Sequence, residues 1–322
     1  MRTELVAELP SAPPRPTFVW GATTHGGGVR DHNEDAFYVS DHVCAVADGM
    51  GGHEAGEVAS QLVTELVAAE FGTQQLDVSD LPRIVSSLNA AVLQKGAENN
   101  TQGMGTTLVG VAVARNGDAP SAVVFHVGDS RCYRLANGLM VQLTTDHSHV
   151  QDLVQDGRIT QAEARVHPLR NVITRALGAD VVVEADVHVL PEDDCRLLLC
   201  SDGLSGEIDD DQIWELLSMH ADPSKAAVAL VEAVLEGPAR DNVTVVVVDV
   251  RFPSVDASDR PAFPSRNTVD VPWAPPVAGP HPPDRGGRPP ESPDAAAWGA
   301  PEPSQTALPS PPSPPQPRHD PQ

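Results

Sequence analysis

The chain has 322 residues, 40% of them hydrophobic, enough to bury the core of one large domain or two small ones. Its formal charge of −24 argues against nucleic acid and against anionic membrane as partners. The N-terminus MRTELVAELP has no apolar core of signal-peptide length, and no apolar stretch is long enough to span a membrane. A cytoplasmic protein with no membrane span is the expectation.

In chain order, residues 1–16, with prolines from Pro10 to Pro16, read as a flexible lead-in. Short apolar runs bounded by turn signals follow: FVWGATT, AFYV, VCAVADG, TTLVGVAVA, SAVVFHVGDS, CYRL, ADVHVLP, CRLLLCSDG and VTVVVVDV. Their length and β-branched content predict strands. Breaks such as ARNGDAPSA and LANGL resemble hairpin turns and point to antiparallel pairing. The segments 54–71, 80–97, 209–219 and 223–235 predict helices; the first carries Val58, Leu62, Leu66 and Val67 near a 3.6-residue period. Two helices follow the first strand cluster and two precede the last strand. That order predicts an α+β fold, a central antiparallel β-sandwich flanked on both sides by helix pairs. Residues 144–178 are more polar, mix helical turns with loops, and read as an insertion beside the sheet.

About two-thirds of the 31 prolines lie after Phe252, where hydrophobic periodicity ends. Residues 253–322 therefore read as a Pro-rich disordered tail, and 17–252 as the one folded domain. From 251 onward six arginines and eight acids contribute −2, so −22 resides on residues 1–250. A domain so acidic repels phosphate unless cations screen it. Cys44, Cys132, Cys195 and Cys200 lack CxxC spacing, so neither zinc nor redox chemistry is suggested.

Acids recur at strand ends. Asp31, Glu34 and Asp35 precede AFYV; Asp48-Gly49 follows VCAVA; Asp129 follows VVFHV; Asp202 follows RLLLC; Asp241 opens the last strand. One aspartate beside glycine is an ordinary turn. Five converging on one sheet system repel one another unless cations neutralise them. Oxygen-only ligands suit Mg²⁺, Mn²⁺ or Ca²⁺, and the missing D-x-[DN]-x-[DN]-G loop weakens the purely structural calcium reading. Glycine after Asp48 lets backbone approach closely, so the Gly49 carbonyl is a further candidate ligand. Two such ions about 3.5–4 Å apart would polarise a phosphoryl oxygen and activate a water. No Cys-x5-Arg loop, Gly-x-Ser-x-Gly elbow or His-Glu-x-x-His occurs, and neither lysine, Lys95 nor Lys225, follows glycine.

The ordered set Arg30…Asn33-Glu34-Asp35, Asp48-Gly49-Met50-Gly51-Gly52, Gly105-Thr106-Thr107, Gly128-Asp129-Ser130-Arg131, Ser201-Asp202-Gly203 and Asp241-Asn242 resembles the protein phosphatase 2C-type (PPM) family. Asp146-His147-Ser148, His167-Pro168 and Thr174–Gly178 look like the flap of its bacterial branch. The resemblance implies a four-layer sandwich and a metal-dependent protein serine/threonine phosphatase using two or three Mn²⁺ or Mg²⁺ ions. It implies Asp48 bridging both metals, the Gly49 carbonyl on one, Asp202 and Asp241 on the other, and Asp129 with Asp202 on a third. Glu34 and Asp35 would hold waters, and Arg30 would clamp the phosphate, its planar fork matching phosphate oxygens; a surface pairing with Asp31 or Glu34 is the alternative. Met50 stands where many eukaryotic members carry histidine. His53 is either a substitute acid or a polar residue at a helix start, so the general acid is unassigned. Asn242 would orient Asp241 or cap the turn. Asp146, His147 and Ser148 are adjacent in one loop and cannot form a triad with each other.

The implied partners are phosphorylated proteins, substrates of a Ser/Thr kinase or the kinase itself, acted on by a monomer. Three other readings compete: a phosphatase dedicated to an anti-sigma-factor antagonist, a catalytically silent phosphoprotein-binding module, and a scaffold built on PxxP-type segments of the tail.

Overall fold

The computed structural model describes residues 15–51, 55–72, 76–101 and 103–253. Apart from positions 15, 16 and 253, the expected lead-in and tail lie outside the described residues, as does His53. In chain order the elements are β1 (Thr17–His25), β2 (Asp35–Val39), β3 (Val43–Met50), α1 (Ala55–Gly72), α2 (Leu81–Glu98), β4 (Gly105–Thr106), β5 (Leu108–Asn116) and β6 (Ala119–Val127). Then come β7 (Arg131–Ala136), β8 (Leu139–Gln142), α3 (His149–Gln155), α4 (Gln161–Val166), β9 (Asp186–Val189), β10 (Cys195–Cys200), α5 (Asp202–Ser205), α6 (Asp210–Met219), α7 (Pro223–Leu235) and β11 (Val243–Arg251).

Two antiparallel sheets, ordered β1-β11-β10-β7-β8 and β2-β3-β5-β6-β9, stack face to face, with β4 paired to β3. The period-2 alternation of a strand sorts side chains between layers. In β3, Cys44 and Val46 enter the core between the sheets with Val109, Val124, Leu197 and Val246. Val43 and Ala45 face the other way, against Val63 and Val67 of α1 and Ile84 and Leu88 of α2. In β11, Val246 and Val248 point inward, while Val245 and Val247 meet Leu230 and Val234 of α7 and Ile213 of α6. Covered on both faces, β11 reads as a continuous valine run instead of alternating with polar residues. The architecture is the expected four-layer α+β sandwich with a helix pair on each side.

Helix starts follow their caps. Asp209 accepts from Gln212 N at the start of α6, and Asp222 accepts from Ser224 N before Pro223 opens α7. All four cysteines are buried and free. The outer helix pair is tied to its sheet by a fully buried arginine. Arg196 of β10 forms an ion pair with Asp249 at 2.7 Å and donates to the carbonyls of Leu217 in the last turn of α6 and of His220 and Ala221 in the link to α7.

Two strands escape the sequence pattern. β8 is short and mostly exposed, so its residues show little apolar alternation. It is placed by the Asn137-Gly138 turn, where φ is positive at both residues (51° and 79°), the geometry that suits a two-residue hairpin. β4 has two residues and is held by Met50 and Gly49 opposite. The polar insertion contains α3, capped by Ser148, and α4, opened by a Thr160–Glu163 capping box. A bridge from Ser148 to Ile173 closes the insertion on itself, and one from Thr106 to Leu177 joins it to the sandwich.

Candidate active site

Strand pairing explains why the acids meet. Asp35, the first residue of β2, and Asp48, near the end of β3, are direct cross-strand partners. In the other sheet β10 ends beside the start of β11, with Cys200 opposite Val245, which sets Asp202 and Asp241 side by side. Asp129 follows β6 in a turn. A buried hydrogen bond joins the sheets at this end: Ser201 Oγ donates to Asp35 Oδ2 at 2.7 Å and accepts from Thr244 N at 3.0 Å.

Backbone bonds hold the cluster in place. Asp48 N donates to Thr107 Oγ1 (3.0 Å), while Asp48 O accepts from Thr107 N and Thr106 Oγ1 (2.9 Å each). Gly49 N donates to Glu34 O. A Cβ on Gly49 would run into the backbone of Gly56, so only glycine permits α1 to approach β3 here. Asn242 accepts from Glu34 N (2.9 Å) and donates to Gly26 O (3.1 Å) and His32 O (2.9 Å), pinning the segment that carries Arg30, Glu34 and Asp35. Its own N–H bonds Asp241 Oδ1. Asn242 thus both contacts Asp241 and braces the preceding loop.

The electrostatics are those of crowded acids. Burial, with Asp35, Asp202, Asp129 and Asp241 adding repulsion, holds the half-buried Asp48 carboxyl well above the usual range. Burial raises Asp35 to about 7 against the opposing bonds from Ser201 and Thr244. It raises Asp202 to about 6, with Asp241 adding to the rise and a hydrogen bond with Asp48 opposing it. Asp129 is likewise pushed well up by burial and Asp202, and Glu34 is raised first by burial. Protons hold such a cluster together when no cation does. Asp35 Oδ1 and Asp129 Oδ1 are buried without a hydrogen-bond partner. Buried acceptors without donors, all oxygen, in a net of carboxylates, fit hard divalent cations.

Arg30 departs from the surface-pairing alternative. Its Nη2 donates to Asp241 Oδ2 at 2.7 Å, rather than to Asp31 or Glu34, and its guanidinium is half-exposed. A cation drawn to the acid nest is the physical reason, and it leaves the other guanidinium nitrogens toward solvent. The sequence assigns no role to the supports Thr106, Thr107 and Ser201; a small hydroxyl beside a strand-end aspartate is a local signal only at Ser201, next to Asp202. Arg131 likewise has no role in the sequence reading: its fork grips Asp146 with bonds of 2.9, 3.1 and 2.7 Å and reaches Tyr133 Oη, anchoring the flap to β7.

From Asp129 and Asp202 a cleft of about 350 Å³ runs between the flap and α5–α6, past Arg131, Arg165, Arg170 and Gln212.

The sequence matches the Protein phosphatase 2C family over residues 28–236. It is 43% identical over 237 residues to the Serine/threonine protein phosphatase PstP of Mycobacterium tuberculosis, covering 72% of this chain and 45% of that protein. It is 36% identical over 239 residues to the Serine/threonine phosphatase stp of Listeria monocytogenes, covering 70% and 93%. The chain thus spans less than half the length of the mycobacterial relative. The catalytic domain of PstP, solved in complex with two manganese ions, superimposes with a TM-score of 0.65 at 38% identity, covering 73% of this chain and 99% of that one. On the family match, these identities and the shared sandwich, the chain belongs to the protein phosphatase 2C family.

Proposed function

We propose that residues 17–252 form a protein serine/threonine phosphatase domain that hydrolyses phosphoserine and phosphothreonine on proteins with Mn²⁺ or Mg²⁺. The observation that carries this reading is the acid nest: Asp35 and Asp48 paired across β2 and β3, facing Asp129, Asp202 and Asp241, with two buried oxygens unpartnered. The names of the relatives and the manganese in the PstP structure support the same chemistry.

Asp48, the Gly49 carbonyl, Asp202 and Asp241 would hold two ions, and Asp129 with Asp202 a third. When bound, the ions supply the Lewis acidity that makes water nucleophilic at neutral pH and offset charge on the phosphoryl oxygens. The chain's part is positioning. Glu34 and Asp35 orient water through their carboxylates, Asp35 through the unpartnered Oδ1. Arg30, which reaches the cluster through Asp241, presents its remaining N–H donors to the substrate phosphate. Asn242 and Thr107 fix the backbones of Glu34 and Asp48. Met50 has no proton to donate, so protonation of the leaving alkoxide falls to another group.

The substrates would be proteins phosphorylated by a Ser/Thr kinase, the kinase itself among them, entering along the cleft beside the flap. Among the described residues no helix is long and apolar enough to cross a membrane; we place the domain in the cytoplasm, as a monomer. The test is phosphate release from phosphothreonine peptides with Mn²⁺, with chelator, and with Asp48→Ala protein. The reading expects turnover only in the first case. Turnover that persists in chelator, or in purified Asp48→Ala protein, would sink it.

A further inference from the structure

Beside the active site, at the base of the flap, lies a second polar cluster. His126, His147 and Asp186 form the one group of ligand-type side chains among the described residues whose donor atoms all lie within 4.8 Å of one another. It is not built as a metal site. The two imidazoles stack with centroids 4.5 Å apart and planes 14° from parallel, so their in-plane lone pairs run alongside each other and do not converge. The cation position between His147 and Asp186 is already taken by Arg175, whose Nη1 lies 3.0 Å from both His147 Nε2 and Asp186 Oδ1.

The cluster instead converges on the turn that carries Asp129. His147 binds both main-chain groups of Gly128: its main-chain N–H donates to Gly128 O at 2.9 Å, and its ring Nδ1 accepts from Gly128 N at 3.0 Å. Its carbonyl accepts from Thr174 N in the returning limb of the flap at 2.8 Å. Because Nδ1 accepts, the ring proton must sit on Nε2, which donates to Asp186 Oδ2 at 3.3 Å. Arg175 carries donors only, so its Nη1 protons go to Glu184 O (3.1 Å) and Asp186 Oδ1, not to the ring. One buried histidine therefore ties the Gly128–Asp129 turn to the flap and to β9.

This matters for Asp129 because Oδ1 of its carboxylate is buried and unpartnered, and the one hydrogen bond the carboxyl takes comes from the backbone of Asp129 itself, within the same turn. Its direction is set by the turn, and the turn takes an unusual shape: Gly128 has φ +111°, and a Cβ there would press on Thr107 at 2.7 Å. We propose that His147 is the positioning residue for Asp129, holding the Gly128 turn through Nδ1 so that the state of the flap is transmitted to the ion that Asp129 ligates.

The inference rests on the metal-centre reading above. The test compares Mn²⁺ binding by calorimetry, and Gly128 amide hydrogen exchange by NMR, for the full chain and for His147→Asn, His147→Gln and Asp129→Asn. Asparagine puts an amide oxygen near the place of Nδ1; glutamine reaches toward Nε2 instead. His147→Gln should weaken, by about 10-fold, the same ion that Asp129→Asn removes, leave the other ions unchanged, and speed Gly128 exchange. His147→Asn should restore both toward wild type. Wild-type binding and exchange in His147→Gln would overturn the proposal, as would equal losses in both His147 variants. If His147→Gln does not fold, Asp186→Ala serves, since Asp186 is partly exposed and grips only the far side of the ring. It should shift the same ion and the same amide, less strongly, and a null result there overturns the proposal too. A wild-type chain that binds no Mn²⁺ would refute the metal-centre reading itself, whereas unchanged His147→Gln sinks only the role given to His147.

Discussion

Replacing Asn242 by alanine removes one side chain that makes three hydrogen bonds, and the cost can be worked bond by bond. Asn242 is 5% exposed. Its partners differ: His32 is exposed and Gly26 half-buried, so those carbonyls regain water, whereas Glu34 N loses its acceptor in a part-buried place. A buried donor left without a partner costs about 1–3 kcal/mol, and the two rehydrated carbonyls lose about 0.5 kcal/mol each. The sum is about 2–4 kcal/mol, or a fall of roughly 5–15 °C in melting temperature for a domain of this size. Activity should fall further than stability, because Arg30, Glu34 and Asp35 all lie on the segment that Asn242 braces. Thermal melting in chelator, followed by Mn²⁺-dependent peptide hydrolysis well below the transition, measures both. A melting temperature within about 2 °C of wild type would refute the bracing argument.

Three further outcomes are expected. Asp35 and Asp202, raised to about 7 and about 6, bind more protons folded than unfolded, so their stabilisation is complete below the unfolded value near 4 and is lost as pH rises through 6 to 7. In chelator the chain should therefore melt higher at pH 5.5 than at pH 7.5, and saturating Mn²⁺ should abolish or reverse that order; a metal-free melting temperature that climbs with pH would contradict it. Arg196→Ala leaves the buried Asp249 carboxylate with only its longer pairing to Arg251 at 3.6 Å and should cost about 3–5 kcal/mol, read as the shift of the urea midpoint. Arg30→Ala should lower kcat/KM on a phosphothreonine peptide by about 100-fold with Mn²⁺ binding retained, and Arg30→Lys should recover only part, a point charge replacing a fork.

What could be read from the sequence follows from which features are local. The valine run of β11 and the helical period of α1 reflect burial along one element, and both are visible within a dozen residues. Asp48, Asp129, Asp202 and Asp241 were legible because glycine or asparagine beside a strand end marks a turn. The contacts that turn those acids into a site are not local. Ser201 reaches Asp35 across 166 positions and Arg30 reaches Asp241 across 211, distances set by how two sheets stack. The direct pairing of Asp35 with Asp48 is a matter of register in the β2–β3 hairpin. The β7–β8 hairpin had its turn signal in Asn137-Gly138, but exposed β8 carried no alternation to confirm a strand. His147 was placed in the flap by its motif, yet its grip on Gly128 depends on a ring nitrogen meeting a backbone N–H 19 residues away.

The central claim is that the aspartates repel one another until divalent ions neutralise them, and melting with and without Mn²⁺ for wild type and Asp48→Asn tests it most directly. At pH 7.5 and ion at about 100 times its dissociation constant, binding should add about 2.7 kcal/mol, a rise of roughly 5–10 °C in wild type. Asp48→Asn should melt no lower than wild type in chelator, since it removes a buried charge from the nest, and should lose that rise. An Asp48→Asn protein that is destabilised in chelator yet gains as much from Mn²⁺ as wild type would contradict the account.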